Sequence, residues 1–163
     1  MSETATLRDP ANLVSPRARL VWAGGALAFA LVLGFVLLVA SRLFEVFPMP
    51  ARAWVAYAVA ALAYVVVMPL YRYRVHRWES TATAVYTQRG WLGRERRIAP
   101  MSRVQTVDLE QGAVSRALGL ATVTVTTASA AGPLRIEGLD RVVAERLVEE
   151  LTRRTDAEPG DAT

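Results

Sequence analysis

The chain contains no cysteine and no lysine, and a single histidine among 163 residues. The absence of cysteine excludes disulfides and thiolate metal sites. The absence of lysine makes all nineteen basic residues arginine; this reads as compositional bias before function, although guanidinium groups suit phosphate contacts well. Charge is also missing from two long stretches: Leu20 to Ser41 and Ala53 to Tyr71 hold no Asp, Glu, Lys, Arg or His. Nothing in them announces a proton relay, an ion path or a bound substrate charge.

Those two stretches organise the rest. Each is long enough, at about 1.5 Å per residue, to cross a hydrocarbon layer roughly 30 Å thick. They predict a transmembrane hairpin over residues 20–71, with helices at 20–41 and 53–71. Ahead of it, residues 1–19 read as a disordered cytoplasmic tail, since Met1 to Pro16 has two prolines and no apolar period. The first run is too long for a signal-peptide core and a second span follows it, so it is expected to stay in the mature protein. Behind the hairpin, residues 72–154 form one compact domain and residues 155–163 a second disordered tail.

Small residues recur in the spans: Ala26, Ala30 and Gly34 in the first, Ala56 and Ala60 in the second. Such stripes let helix backbones approach closely in lipid. Packing within the hairpin is the expected use, and dimerisation the other. Trp22, Trp54, Tyr71, Tyr73, Phe44 and Phe47 read as headgroup-level markers. Pro48 and Pro50 fix the connecting turn, and Pro69 is expected to kink or end the second helix. Arg8, Arg17, Arg19, Arg72, Arg74 and Arg77 flank one side of the hairpin, against Arg42 and Arg52 on the other. The positive-inside bias therefore places both termini in the cytoplasm of a multi-pass cell-membrane protein. Arg72, Arg74 and Arg77 make a juxtamembrane anchor suited to anionic headgroups rather than nucleic acid.

From Trp78 the period changes. Thr122 to Thr127 alternates, with Val123 and Val125 on one face. Val107 and Leu109 alternate with Asp108 and Glu110, and Leu134 to Glu137 does likewise. Val75 to Ser80, Ala84 to Thr87 and Trp91 to Ile98 supply earlier strands of an antiparallel sheet. Turn signals fall at Gln88 to Gly90, near Pro100, at Gln111 to Gly112, at Gly119 and across Ala130 to Pro133. The last element is an amphipathic helix capped by Asp140, with Val143, Ala144, Leu147, Val148 and Leu151 on one face and Glu149–Arg153 and Glu150–Arg154 pairs on the other. Strands followed by one helix predict a small bent sheet or barrel plugged at one end.

Several residues beyond this pattern are shared with a known family: Gly90, Trp91 and Leu92; Arg96 to Pro100; Arg103, Val104 and Gln105; Val107; Gln111 and Gly112; Arg116; Leu118 to Ala121; Thr122 and Val123. With them the chain resembles the bacterial pleckstrin-homology (PH) domain membrane proteins, in the small class with two transmembrane helices ahead of one PH-like domain. The resemblance implies a membrane α-helical hairpin plus an α+β, mainly β soluble domain: an antiparallel barrel of about seven strands with a C-terminal helix. It further implies no catalytic activity, a larger membrane partner carrying similar domains, and a link to tolerance of envelope-directed peptides. Eukaryotic PH domains hold phosphoinositides with basic residues between their first two strands. Here that loop is Glu79 to Thr83, without Arg or Lys, so the shared fold does not carry that activity over.

Catalytic chemistry has little to work with. His76 sits between Arg74 and Arg77 and reads as interfacial structure. Asp108 and Glu110 read as solvated strand carboxylates, and no glycine loop is built for phosphate. No cofactor or metal is expected. The better candidate is an anionic-ligand or partner face of Arg94, Arg96 and Arg97, with Arg89 and Arg103 nearby. Arg94 and Arg96 share a strand face and Glu95 partly offsets them. Two functions follow: a protein-interaction module that joins a larger membrane protein or self-associates, and a sensor of anionic lipid headgroups.

Overall fold

The computed structural model describes residues 9–43, 49–129 and 132–157. Phe44, Phe47, Pro48, the Ala130–Ala131 part of one expected turn, and residues 1–8 and 158–163 of the tails lie outside the described residues. The chain divides into two units, Arg19–Arg72 and a second made of Met1–Ala18 with Tyr73–Thr163.

The first unit is a helical hairpin. Helix α1 runs over Ala18–Leu43 and α2 over Ala51–Val75, and both are long and apolar enough to cross a membrane. Each extends beyond its charge-free run because flanking arginines are good helix formers and leave their charge at the ends. Pro69 does not end α2, which continues to Val75. One face of α1 is turned inward: Trp22, Ala26 and Ala30 are buried and Gly34 is half-buried. Across from it stands Tyr57, whose hydroxyl donates to the Ala30 carbonyl and whose ring lies 3.1 Å from where a Gly34 Cβ would sit. Ala56 and Ala60 are exposed. The expectation that they pack the hairpin is corrected: the α2 contact is made in the phase of Tyr57, one position round the helix.

Among the described residues the second unit holds seven strands in two antiparallel sheets. The first sheet has the order β1-β2-β3-β4, with β1 Asn12–Leu13, β2 Arg77–Ser80, β3 Ala84–Gly90 and β4 Arg94–Pro100. The second is β5-β6-β7, with β5 Val104–Glu110, β6 Leu120–Thr127 and β7 Leu134–Asp140. A single 3-10 turn, Met101–Arg103, links them, and the short helix α3, Ala113–Ala117, links β5 to β6. Val85, Ala99, Leu120, Val123, Val125, Ile136 and Leu139 fill the core. Helix α4, Arg141–Ala157, seals it with Ala144, Leu147 and Leu151, while Val143 is 37% exposed and falls outside that face. The ion pairs on α4 among the described residues are Arg141–Glu145 and Glu150–Arg154. The helix also continues through Thr155, where a tail was expected.

The seventh strand is the main correction to the sequence reading. It comes from ahead of the hairpin, in the segment expected to be disordered. Asn12 pairs with Trp78 and Leu13 with Arg77. Val14 and Ser15 are buried, and the segment then crosses to the other sheet. There the Ser15 N–H donates to the Gly138 carbonyl at 2.8 Å and its hydroxyl to Asp140 Oδ1 at 2.9 Å. Asp140, expected as the cap of α4, thus ends β7 and accepts from the N-terminal segment, while the Arg141 N–H is met by the Gly119 carbonyl. Buried backbone groups and a buried valine order this segment despite its composition.

Candidate functional site: the arginines and the groove beside β4

The register of β3 and β4 sets which arginines share a face. Arg94 pairs with Gly90, Arg96 with Gln88 and Arg97 with Thr87, while Ala99 pairs with Val85. Cross-strand partners lie on one face. Glu95 and Arg97 therefore share the side of buried Ala99 and Val85, and Arg94 and Arg96 take the other. Glu95 does not offset Arg94 and Arg96, as was expected; it accepts from Arg89 Nε at 2.8 Å and lies 3.7 Å from Arg97 Nε. The Arg89 hydrogen bond holds the Glu95 carboxyl below the usual glutamate range, against the opposing effect of burial.

Most of these cations have structural work. Arg96 Nε donates to Gln88 Oε1 at 2.8 Å and its Nη2 pairs with Asp9 of the N-terminal segment. Arg97 reaches the connection between β6 and β7, donating from Nη1 to the Pro133 carbonyl at 2.6 Å and from Nη2 to the Gly132 carbonyl at 3.1 Å. Arg94 and Arg103 are exposed. The five arginines are thus not one patch: Arg89 and Arg97 flank Glu95, Arg96 ties down the N-terminus, Arg94 stands beside the β3–β4 loop and Arg103 ends the 3-10 turn.

Three of them, Arg96, Arg97 and Arg103, line a groove of about 350 Å³ between β4 and the β6–β7 end. Arg97 and Arg103 contribute cations, Thr127 and Ser129 hydroxyls, and Ile98 and Leu134 apolar surface. The volume lies near the lower end for ligand pockets. Thr127, Ser129 and Leu134 were not singled out in the sequence, because more than twenty residues separate them from Arg103 and only the folded sheets bring them together.

The loop that holds phosphoinositides in eukaryotic PH domains is filled by the chain itself. Thr81 Oγ1 accepts from the Ala84 N–H at 3.1 Å and donates to its carbonyl at 3.0 Å. The Arg154 guanidinium, from α4, donates to the Thr81 carbonyl and to Ser80 Oγ. The cation that α4 brings to this loop is therefore engaged by Thr81, Ser80 and Glu150.

The remaining candidates separate. Asp108 accepts from Thr106 Oγ1 at 3.2 Å, and Glu110 pairs with Arg135 at 3.1 Å, so the two carboxylates do not converge. Among the described residues no group of three or more His, Asp or Glu side chains is placed to hold a metal. His76 is 5% exposed and lines a small recess with Val14, Thr87 and Gln88. Of the juxtamembrane arginines, Arg72 lies 4.7 Å above the Trp22 ring in a cation–π contact. Arg74 is exposed and Arg77 is part of β2.

Comparison with known proteins agrees with this architecture. The chain is 28% identical over 151 residues to the transmembrane protein YdbS of Bacillus subtilis (strain 168), an alignment covering 89% of this chain and 92% of that one. No solved structure is a significant match. The family described as bacterial PH domain matches residues 18–155, taking in both apolar helices, six of the seven strands and nearly all of α4. This chain is a membrane protein that belongs to the bacterial PH domain family.

Proposed function

We propose that the protein is a non-enzymatic, multi-pass component of the cell membrane that presents its PH domain in the cytoplasm as a protein-interaction module. In this reading the groove beside β4 takes an acidic segment of a membrane partner, either a larger protein with similar domains or a second copy of this chain. The observation that carries it is the groove's lining: exposed Arg103 with Ile98 and Leu134 suits a carboxylate beside an apolar side chain. The pairing of β1 with β2 supports an even number of crossings, because residues on either side of the hairpin meet in one sheet. The arginine balance supports the cytoplasmic side. A sensor that reads lipid with the whole arginine set is less favoured, since Arg89, Arg96 and Arg97 are held in internal contacts.

The test is a photo-reactive amino acid placed at Ile98 and irradiated in native membranes. A discrete adduct that disappears when Arg103 is changed to Glu supports the reading. No adduct, together with a monomeric and partner-free protein in mild detergent, rejects it. The role in tolerance of envelope-directed peptides is tested by challenging a deletion strain with such a peptide.

A further inference from the structure

Between β3 and β4 the chain turns through Trp91, Leu92 and Gly93, with Gly90 opposite Arg94 closing the ladder. The turn is tight. Gly90 has φ +151°, and a Cβ there would lie 1.8 Å from the Gly93 carbonyl oxygen, so the position tolerates only glycine. At its tip Leu92 is 91% exposed, more than any other large hydrophobic residue described in the protein. Trp91 is half-buried beside it. A rigid two-glycine turn that holds a leucine in water is an unfavourable arrangement unless something covers it.

The register shows where this tip lies within its own unit. Arg77, two residues after the end of α2, pairs with Gln88, and Gln88 Nε2 donates to the carbonyl of Val75 at 3.3 Å. The β3–β4 tip therefore projects from the end of the sheet at which the chain enters from the apolar hairpin, about 7 Å past Gln88 at Gly90 by strand rise. The opposite turn, Thr81–Thr83, lies at the far end. The tip is flanked on the strands by Arg94 and by Arg89, the latter paired with Glu95, and the incoming chain carries Arg74 and Arg77. An exposed apolar point next to an indole and an exposed arginine is the composition of elements that sit in the headgroup layer of an anionic membrane.

We propose that the β3–β4 tip is a membrane-contact element: Leu92 and Trp91 enter the headgroup layer while exposed Arg94 engages anionic lipid phosphates. The apolar hairpin supplies membrane residence, so this contact needs little affinity of its own; it orients the domain on the bilayer and leaves the groove beside β4 facing whatever binds there. The contact is independent of the interaction-module reading. Loss of one leaves the other standing.

The cysteine-free chain permits a direct test. Leu92→Cys, and Ala82→Cys in the opposite turn, are each labelled with an environment-sensitive fluorophore. Each full-length protein is reconstituted into phosphatidylcholine vesicles with and without phosphatidylglycerol. The expected result is that label at residue 92 is quenched by a lipid-attached quencher and shielded from aqueous iodide, whereas label at residue 82 behaves oppositely. Adding Arg94→Glu is expected to weaken the lipid quenching by about fivefold in phosphatidylglycerol vesicles. Iodide access at residue 92 equal to that at residue 82 overturns the proposal. So does shielding without lipid quenching, which would place the tip against protein, and so does quenching indifferent to both phosphatidylglycerol and Arg94→Glu. An Ile98 photo-adduct is unaffected by any of these outcomes.

Discussion

The side-chain amide of Gln88 donates to the carbonyl of Val75 at 3.3 Å while its own oxygen accepts from Arg96 at 2.8 Å. One buried glutamine, 3% exposed, thus joins the first sheet to the last residue of α2 and holds the arginine that reaches Asp9. Gln88→Ala leaves the carbonyl of buried Val75 and the partly exposed Arg96 without this partner, and we expect a loss of about 1–3 kcal/mol. Thermal unfolding of the full chain in detergent, followed by near-ultraviolet circular dichroism, measures it.

The face of α4 is tested by a pair of substitutions. Leu151 is fully buried and Val143 is 37% exposed. Leu151→Ala is expected to cost about 2–5 kcal/mol, and Val143→Ala about 0.5 kcal/mol or less. Equal effects in denaturant titrations would show that the helix packs in another phase.

Helix packing in the hairpin rests on Gly34 and Tyr57. Gly34→Leu drives a side chain into the tyrosine ring and is expected to cost about 1–3 kcal/mol. Ala56→Leu and Ala60→Leu, on exposed positions, are expected to leave the hairpin's stability unchanged. Heat-induced aggregation in detergent ranks the three variants.

Acid acts on the β3–β4 hairpin through Glu95, whose carboxyl Arg89 holds below its ordinary range. Because the folded value is depressed, the Arg89–Glu95 pair contributes stability above the unfolded value and loses it as pH falls through the folded one. Glu95 is half exposed, so solvent screens the pair and the effect is small. We expect the Trp91 indole resonance to shift on acidification below the usual glutamate range, and the shift to vanish in Glu95→Gln.

Topology has its own readout. A reporter active only outside the membrane, fused after Arg154, is expected to be silent, and the same reporter in the connection between α1 and α2 to be active. Activity at Arg154 would invert the orientation.

The elements that could be read from the sequence are those whose residues carry a period or a long absence. Charge-free runs located α1 and α2 to within two residues at their starts. The Thr-Val alternation located β6, and the spacing of Ala144, Leu147 and Leu151 located α4. Where everything is apolar, hydropathy carries no phase, and so Ala56 and Ala60 were assigned to the wrong side of α2. The β3–β4 turn fell three residues later than its first glycine suggested, because Gly90 closes the ladder and does not open the loop. The two residues of β1 are too few to show alternation. Arg97 looks like any other surface arginine until the fold brings Gly132 and Pro133 to it. The groove was illegible for the same reason.

The N-terminal strand has a consequence in the order of synthesis. Asn12 and Leu13 leave the ribosome before either apolar helix, and their partners Trp78 and Arg77 leave after both. The first sheet can therefore close only once the whole hairpin has been made and its two ends lie on one face of the bilayer. A chain in which one helix fails to insert separates β1 from β2 across the membrane. It leaves β2 with an open edge, buried Val14 and Ser15 without their cover, and Asp140 without its donor. Closure of the first sheet thus depends on both ends of the hairpin lying on one side of the bilayer.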